Sequence, residues 1–264
     1  MLRSITTAII WKGAFILIIL LVGISFFGTE GRVKLSVDLT SRLSAHHFLE
    51  QELANLKKTQ SDHAHEALLI WSSLPALVVS GSDTRLPQFA RAQAQLKQLG
   101  IEVVRRSSGG TAVPQGPGVV NVSRIFSPPT PRNIEQLYHE FCRLLASGFK
   151  AIGLETSVGE VRGCYCDGRY NLLSQGRKLA GTAMKLSGRL GAPSAVLAHA
   201  VILADMTAKQ ATERVNLFYQ QAGSDKKFEE LSSTWLVQEL GRVDHEEVST
   251  VGDVAAAMQV AFSR

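Results

Sequence analysis

Helical periodicity and strand-like alternation of apolar residues divide most of this chain into short elements. Leu49, Leu53 and Leu56 fall on one face of a helix that Thr40 or Ser41 would cap and that runs to about Lys58. The apolar runs Ala67–Trp71 and Leu77–Ser80, separated by Pro75, predict two strands. Pro87 suits the first turn of a helix ending at Gly100, and strand Ile101–Arg105 follows. A glycine-rich loop, Arg106–Gly118, leads into strand Val119–Phe126, where Asn121 and Ser123 alternate with Val120 and Val122. Beyond Pro128, Pro129 and Pro131, a helix buries a stripe of Ile134, Leu137, Phe141 and Leu144. Lys150–Leu154 predicts a strand, and Tyr170–Leu173 with Lys178–Leu186 a hairpin about Gln175-Gly176. Ser194–Ala204 is the last strand, followed by helices over Thr207–Ala222, Lys227–Leu240 and Gly252–Phe262. Strands grouped between helices predict an α+β fold with a mixed, largely antiparallel sheet, its helices on one side.

The N-terminus breaks the pattern. Residues 8–27 are apolar except for Lys12, about the ~20 residues that span a bilayer core. A transmembrane anchor, a mis-set start and a signal peptide, for which Gly23 and Ser25 offer a weak cut site, all fit this segment. Residues 1–32 are therefore set apart from a domain spanning 33–264, and a membrane enters only through residues 8–27.

Composition narrows the class further. Charged residues make up 19% of the chain and hydrophobic ones 45%, which excludes a disordered tail protein. Three cysteines are too few for a disulfide scaffold and suit a reducing compartment. The net charge of +5 fits an acidic protein partner or an anionic ligand as well as nucleic acid.

Two segments carry candidate chemistry. In Arg105-Arg106-Ser107-Ser108-Gly109-Gly110-Thr111-Ala112-Val113, glycines after a strand free backbone N–H groups to face an anion. It is no Walker loop, since no Gly-Lys-Ser/Thr follows; a plain glycine-rich hairpin is the alternative. The second segment is Cys164-Tyr165-Cys166-Asp167-Gly168-Arg169-Tyr170-Asn171-Leu172, then Gly176-Arg177-Lys178-Leu179-Ala180-Gly181. Arg162, Arg169, Arg177 and Lys178 surround Cys166 in sequence, and nearby cations favour a nucleophilic thiolate. Lys178, between Gly176 and Gly181, would reach a pocket over bare backbone; an inert buried cysteine and a solvated lysine are the alternatives. His139, Cys142, Cys164 and Cys166 do not have a usual zinc spacing, so no metal is expected. His46, His47, His63 and His65 read as solvent-facing, and no Ser-His-Asp order is recognisable.

Together the two segments resemble a known family. Arg106 through Val113, then Gly118 and Asn121-Val122-Ser123, is similar to the first block of the biotin/lipoate protein ligases. Tyr165–Leu172 with Gly176–Gly181 resembles the second block, which carries the family lysine. A cysteine just before the lysine strand is similar to the octanoyltransferase and amidotransferase branch, and the likeness covers roughly residues 40–242. Pro114-Gln115 departs from a histidine common in the ligase branch, and Met184 stands where a glutamine is expected.

The resemblance implies an acyltransferase of protein lipoylation working in the cytoplasm. Cys166 would carry an octanoyl or lipoyl group as a thioester, and Lys178 would stabilise the developing charge. Arg106, Ser108, Gly109, Gly110, Thr111, Ala112, Asn121 and Gly181 would bind substrate, and Val120 and Val122 would line the acyl slot. Acceptors would be lipoyl domains of glycine-cleavage H or dehydrogenase E2 type, acyl carrier protein would be a donor, and nucleic acid would not be a partner. The transferase needs no cofactor. An ATP- and Mg-dependent lipoate ligase and a non-catalytic acyl- or biotinyl-binding relative are the alternatives.

Overall fold

The computed structural model describes residues 26–28, 33–130, 132–189, 192–241 and 250–263. The elements in order are β1 (Phe26–Gly28), β2 (Val33–Asp38), α1 (Ala45–Ser61), β3 (Glu66–Trp71), β4 (Ala76–Val79), α2 (Phe89–Gln98), β5 (Glu102–Arg105), β6 (Val113–Gln115) and β7 (Val119–Phe126). There follow α3 (Ile134–Ala151), β8 (Ser157–Gly159), β9 (Asn171–Ser174), β10 (Arg177–Arg189), β11 (Ala192–Leu203), α4 (Ala208–Gln221), α5 (Leu236–Glu239) and α6 (Thr250–Phe262). The large sheet runs β1-β2-β3-β7-β11-β10-β9-β8 and the small one β5-β4-β6. In the large sheet only β2 and β3 pair in parallel; in the small one, β4 and β5 do. The α+β architecture with a mixed, largely antiparallel sheet is as the strand grouping predicts.

Helices cover both faces of the large sheet, not one. On one face α3 and α6 pack Leu145, Phe149, Val254 and Met258 against Ile70, Val120, Val122, Ala200 and Ile202. On the other, α1, α4 and the small sheet enclose Leu69, Trp71, Val119 and Leu203. Successive side chains of a strand point to opposite faces, so β3, β7 and β11 each serve two cores. Because both faces are covered, β3 is apolar on both sides, which hides its sidedness from simple alternation.

Several boundaries move for local reasons. Helix α1 is capped by Ser44, which accepts from the N–H of His47, and not by Thr40 or Ser41. Thr40 instead turns the chain by bonding through its N–H and hydroxyl to Asp38, and Ser41 follows with φ +53°. Lys150–Leu154 is no strand: α3 continues through Ala151, and Gly153 at φ +86° stops it. Lys227–Leu240 is not one helix but a 3₁₀ turn, Glu230–Ser232, and the single turn of α5. Its backbone is used elsewhere, since the Thr234 N–H donates to the Lys178 carbonyl at 2.8 Å. The hairpin about Gln175-Gly176 forms as predicted, with both residues at positive φ.

Among the described residues no helix is long and apolar enough to cross a membrane. The apolar segment 8–27 lies outside them except for Phe26 and Phe27, whose backbone pairs with β2.

Phe149 is fully buried where α3 meets the sheet. Phe149→Ala is expected to lower unfolding free energy by about 3–5 kcal/mol, read as a shift in the urea midpoint at unchanged slope.

Candidate active site

Lys178 is the third-last residue before Gly181 on β10, and it is only 4% exposed. A register shift between Lys178 and Ala180 against β9 is the bulge that re-aims a side chain within a ladder. Gly181 leaves room for it: a Cβ there would lie 3.0 Å from Lys178 Cε and 3.1 Å from Nζ. Nζ donates to the carbonyls of Tyr165 at 2.5 Å and Cys166 at 2.9 Å, and stands 4.8 Å from the Tyr165 ring centroid. A lysine has three N–H donors, so two bonds to the cysteine loop leave one for a ligand.

The glycine loop meets the cysteine loop from the other side. Arg106, 6% exposed, donates to the carbonyls of Val78, Gly109 and Thr111 over 2.7–3.1 Å. Its Nη2 also lies 3.8 Å from Cys166 Sγ. The guanidinium thus ties β4 to both ends of the glycine turn before it faces the sulfur. Gly110 has φ +98°, and a Cβ there would lie 2.6 Å from Cys166 Sγ and 2.9 Å from Arg106 Nη2. Thr111 closes the junction, its hydroxyl accepting from the Cys166 N–H at 2.6 Å. Cys166 itself sits at φ +47°, uncommon for a residue with a side chain. Asp167 fastens the loop by accepting from the N–H groups of Val161 and Gly168 and from Asn171 Nδ2.

The three cysteines are not equivalent. Burial pushes the Cys142 thiol up to about 12 and the Cys164 thiol up to about 11, the latter despite the partly offsetting charge of Lys178. Cys142 donates to the Tyr170 carbonyl at 3.5 Å, and His139 packs edge-on against the Tyr170 ring. Cys166 is half-buried and lines the same cavity as Arg106, Lys178, Gly181 and Asn121. The two segments singled out in the sequence therefore meet in one pocket.

The apolar wall of that pocket is not the one expected. Val120 and Val122 face α3 and α6, because Asn121 between them points into the cavity. Leu49, Trp71, Val78, Val113, Val201 and Leu203 line it instead. Asn121 exchanges hydrogen bonds with Gln115 at 2.7 and 2.9 Å and donates to the Trp71 carbonyl. Gln115 thus fixes a cavity wall where the family pattern has histidine nearby. Met184 packs toward the α3–α6 core and not into the pocket.

The structure also brings two residues that sequence reasoning missed, His199 and Glu52, to Ser108 and Ser123 of the first block. Ser108 Oγ lies 3.1 Å from His199 Nε2, and His199 Nδ1 is 3.5 Å from Glu52 Oε2. Ser123 donates to Glu52 Oε1 at 2.5 Å, and Glu52 is 2% exposed. This order of groups resembles a nucleophile triad, but its place in the sheet argues otherwise. His199 pairs with Ala183 on β10, five residues beyond Lys178 and so about 17 Å along the strand at ~3.3 Å per residue. Of these four residues, His199 lines the pocket. A buried glutamate on α1 with a histidine partner on β11 was the only signal, and nothing in the sequence joins them. His65, expected in solvent, is buried, with Nε2 2.9 Å from Asn55 Oδ1.

Comparisons with known proteins bear on this geometry. Residues 45–263 match the lipoyl protein ligase A/B catalytic domain. The chain belongs to that family. A relative named octanoyl-[GcvH]:protein N-octanoyltransferase, from Kyrpidia tusciae, is 33% identical over 172 residues, covering 63% of this chain and 60% of that protein. A lipoyl-[GcvH]:protein N-lipoyltransferase from Listeria monocytogenes is 32% identical over 147 residues, covering 55% and 51%. The chain thus matches little more than half the length of either. Lipoate-protein ligase A bound with ATP shares the fold at a TM-score of 0.64 and 18% identity, covering 89% of this chain and 85% of that one.

Two outcomes test the site as built. In the native protein at mildly alkaline pH, iodoacetamide is expected to alkylate Cys166 and spare Cys142 and Cys164, as peptide mass mapping would show. Gly110→Ala is expected to slow that alkylation at least several-fold, because its Cβ displaces either the sulfur or the arginine.

Proposed function

We propose that this chain is an acyltransferase of protein lipoylation. It takes an octanoyl or lipoyl group onto Cys166 as a thioester and passes it to a lysine ε-amine of a lipoyl-domain protein. The observation that carries this reading is a half-buried thiol standing 3.8 Å from a guanidinium, in the cavity that also holds a buried lysine. A ligase working through an acyl-adenylate needs the lysine and the glycine loop but has no use for the thiol. The names of both relatives place the acyl group on GcvH and move it to a protein nitrogen, which supports the same class of reaction.

Each step has residues suited to it. The Cys166 thiolate adds to the donor carbonyl, and the donor's leaving atom departs with a proton. The free N–H of Lys178 points its charge at the oxyanion that forms, in a site largely shut from water. The neutral acceptor amine then adds to the thioester carbonyl, the C–S bond breaks, and the amine's proton passes to solvent. Splitting the transfer in this way replaces one slow step by two faster ones. The apolar wall from Leu49 to Leu203 receives the acyl chain, and each methylene buried contributes about 0.8 kcal/mol to its selection. GcvH-type and E2-type lipoyl domains are the acceptors this reading implies, with an acylated GcvH or acyl carrier protein as donor.

The test is the intact mass of a lipoyl-domain acceptor after incubation with octanoyl-GcvH or octanoyl-acyl carrier protein, with and without ATP. Mass gain without ATP is expected, together with a hydroxylamine-labile adduct on Cys166. Cys166→Ser is expected to abolish transfer, and Lys178→Ala to slow it by about 10²–10³, or roughly 3–4 kcal/mol. Modification that requires ATP and survives Cys166→Ser would instead mark an adenylate-forming ligase.

A further inference from the structure

Tyr219, on α4, is fully buried, yet its hydroxyl is bonded on both sides. It donates to Asp83 Oδ1 at 2.7 Å and accepts from the Ala112 N–H at 2.9 Å. Asp83 is 1% exposed and is itself fixed, its Oδ2 accepting from the Ser80 N–H at 2.9 Å and the Ser80 hydroxyl at 2.8 Å. The ring is wedged between Phe218 and Phe228 at centroid distances of 5.1 and 5.6 Å, so the hydroxyl has little freedom to move. Ala112 is the residue after Thr111, whose hydroxyl holds the Cys166 N–H and whose carbonyl takes Arg106.

We infer that Tyr219 is a positioning residue for the Cys166 nucleophile, acting through the Thr111–Ala112 peptide. The path has no long gap: Asp83, Tyr219, Ala112 N–H, Thr111, Cys166 N–H, with every link at 2.9 Å or less apart from the covalent step. The glycines at 109 and 110 leave the turn without side chains to set its height, so something outside it must do so. Arg106 anchors the turn through its carbonyls and Tyr219 anchors it through an N–H, from opposite ends. Losing the Tyr219 anchor frees Thr111 to shift, and the left-handed conformation of Cys166 then loses the acceptor that holds it. Phe228 adds a second contact to the same end, since its ring packs on both Tyr219 and Tyr165.

This inference rests on the transferase reading for its kinetic test, and a chemical test stands apart from that reading. Tyr219→Phe removes only the tyrosine hydroxyl, and Thr111→Val removes the hydroxyl that accepts from Cys166 and also neighbours the Tyr219 hydroxyl. Both variants are assayed at a temperature where circular dichroism shows the same folded fraction as wild type. Iodoacetamide alkylation of Cys166 at fixed pH, located by peptide mass, is expected to slow several-fold in each. In acyl transfer, kcat is expected to fall about tenfold or more, with the donor KM within about twofold of wild type. The double variant is expected to be little worse than Thr111→Val alone, because the two act along one path. Wild-type alkylation in Tyr219→Phe, a loss confined to KM, or losses that multiply in the double variant would each overturn the inference. If the wild-type protein transfers no acyl group, the transferase reading fails, and the alkylation rates still decide the role of Tyr219.

Discussion

A buried ammonium must find acceptors or lose its charge, and much of this site follows from that demand on Lys178. Taking such an ion out of water costs several kcal/mol even after relaxation. Two main-chain carbonyls meet the demand, and they belong to Tyr165 and Cys166, so the cysteine loop is held down onto β10 by the lysine. The bulge at Leu179 turns the side chain toward that loop, and Gly181 keeps the space open. The extended stretch around Ser233 and Thr234 covers the lysine's own backbone, which is why that segment cannot be a helix. The same geometry that satisfies the charge leaves one N–H unspent in a place of low dielectric, where a hydrogen bond is electrostatically strong.

What the sequence made legible were features set by neighbours along the chain. The Gln175-Gly176 turn is one, because two adjacent positive φ values favour such a pair and fix the register of β9 against β10. Strand Val119–Phe126 and helix α4, with Thr207 and Gln210 forming a capping box, are others. The misreadings lie where tertiary contacts decide. Alternation in β7 correctly separated Val120 and Val122 from Asn121 and Ser123, but a period of two does not say which face holds the ligand. Both faces proved to be covered, and the polar one lines the cavity. Lys227–Leu240 has helical composition, yet its backbone is drawn into bonds with Lys178. The cluster around His199 and Glu52 joins Ser108 to His199 and Ser123 to Glu52, pairs 91 and 71 positions apart, and no local pattern could announce it.

The two faces of the large sheet divide the labour. The α3–α6 face is largely apolar, and of its core residues Leu179 also reaches the cavity. The opposite face mixes Trp71, Val201 and Leu203 with Asn121, Ser123 and His199, so polar groups there must be paired among themselves or with a ligand. Asn121 with Gln115 and His199 with Glu52 are such pairs, whereas the buried indole N–H of Trp71 on the same wall has no partner in the protein. Because β3, β7 and β11 present both faces, packing on the α3–α6 side fixes the spacing of the strands from which the pocket wall is made.

The family motif draws the eye to Arg106 as the charge that meets an anion, yet most of its donors are spent on carbonyls of the protein itself. Its work is chiefly to hold the glycine turn against β4, and only its outer edge touches the sulfur of Cys166. An arginine used in this way gives a rigid loop whose backbone N–H groups and bare Cα atoms come close to a reacting group, an arrangement that no flexible side chain could reproduce. The same scaffold therefore suits either acyl-adenylate or thioester chemistry, since a glycine turn and a buried lysine stabilise negative charge whatever atom bears it. The proposed thioester route draws on Gly110, whose missing side chain is the space that Cys166 Sγ occupies. A side chain at that position would collide with both the thiol and the Arg106 guanidinium that anchors the turn. In this protein the glycine, no less than the cysteine, makes the site a candidate for covalent transfer.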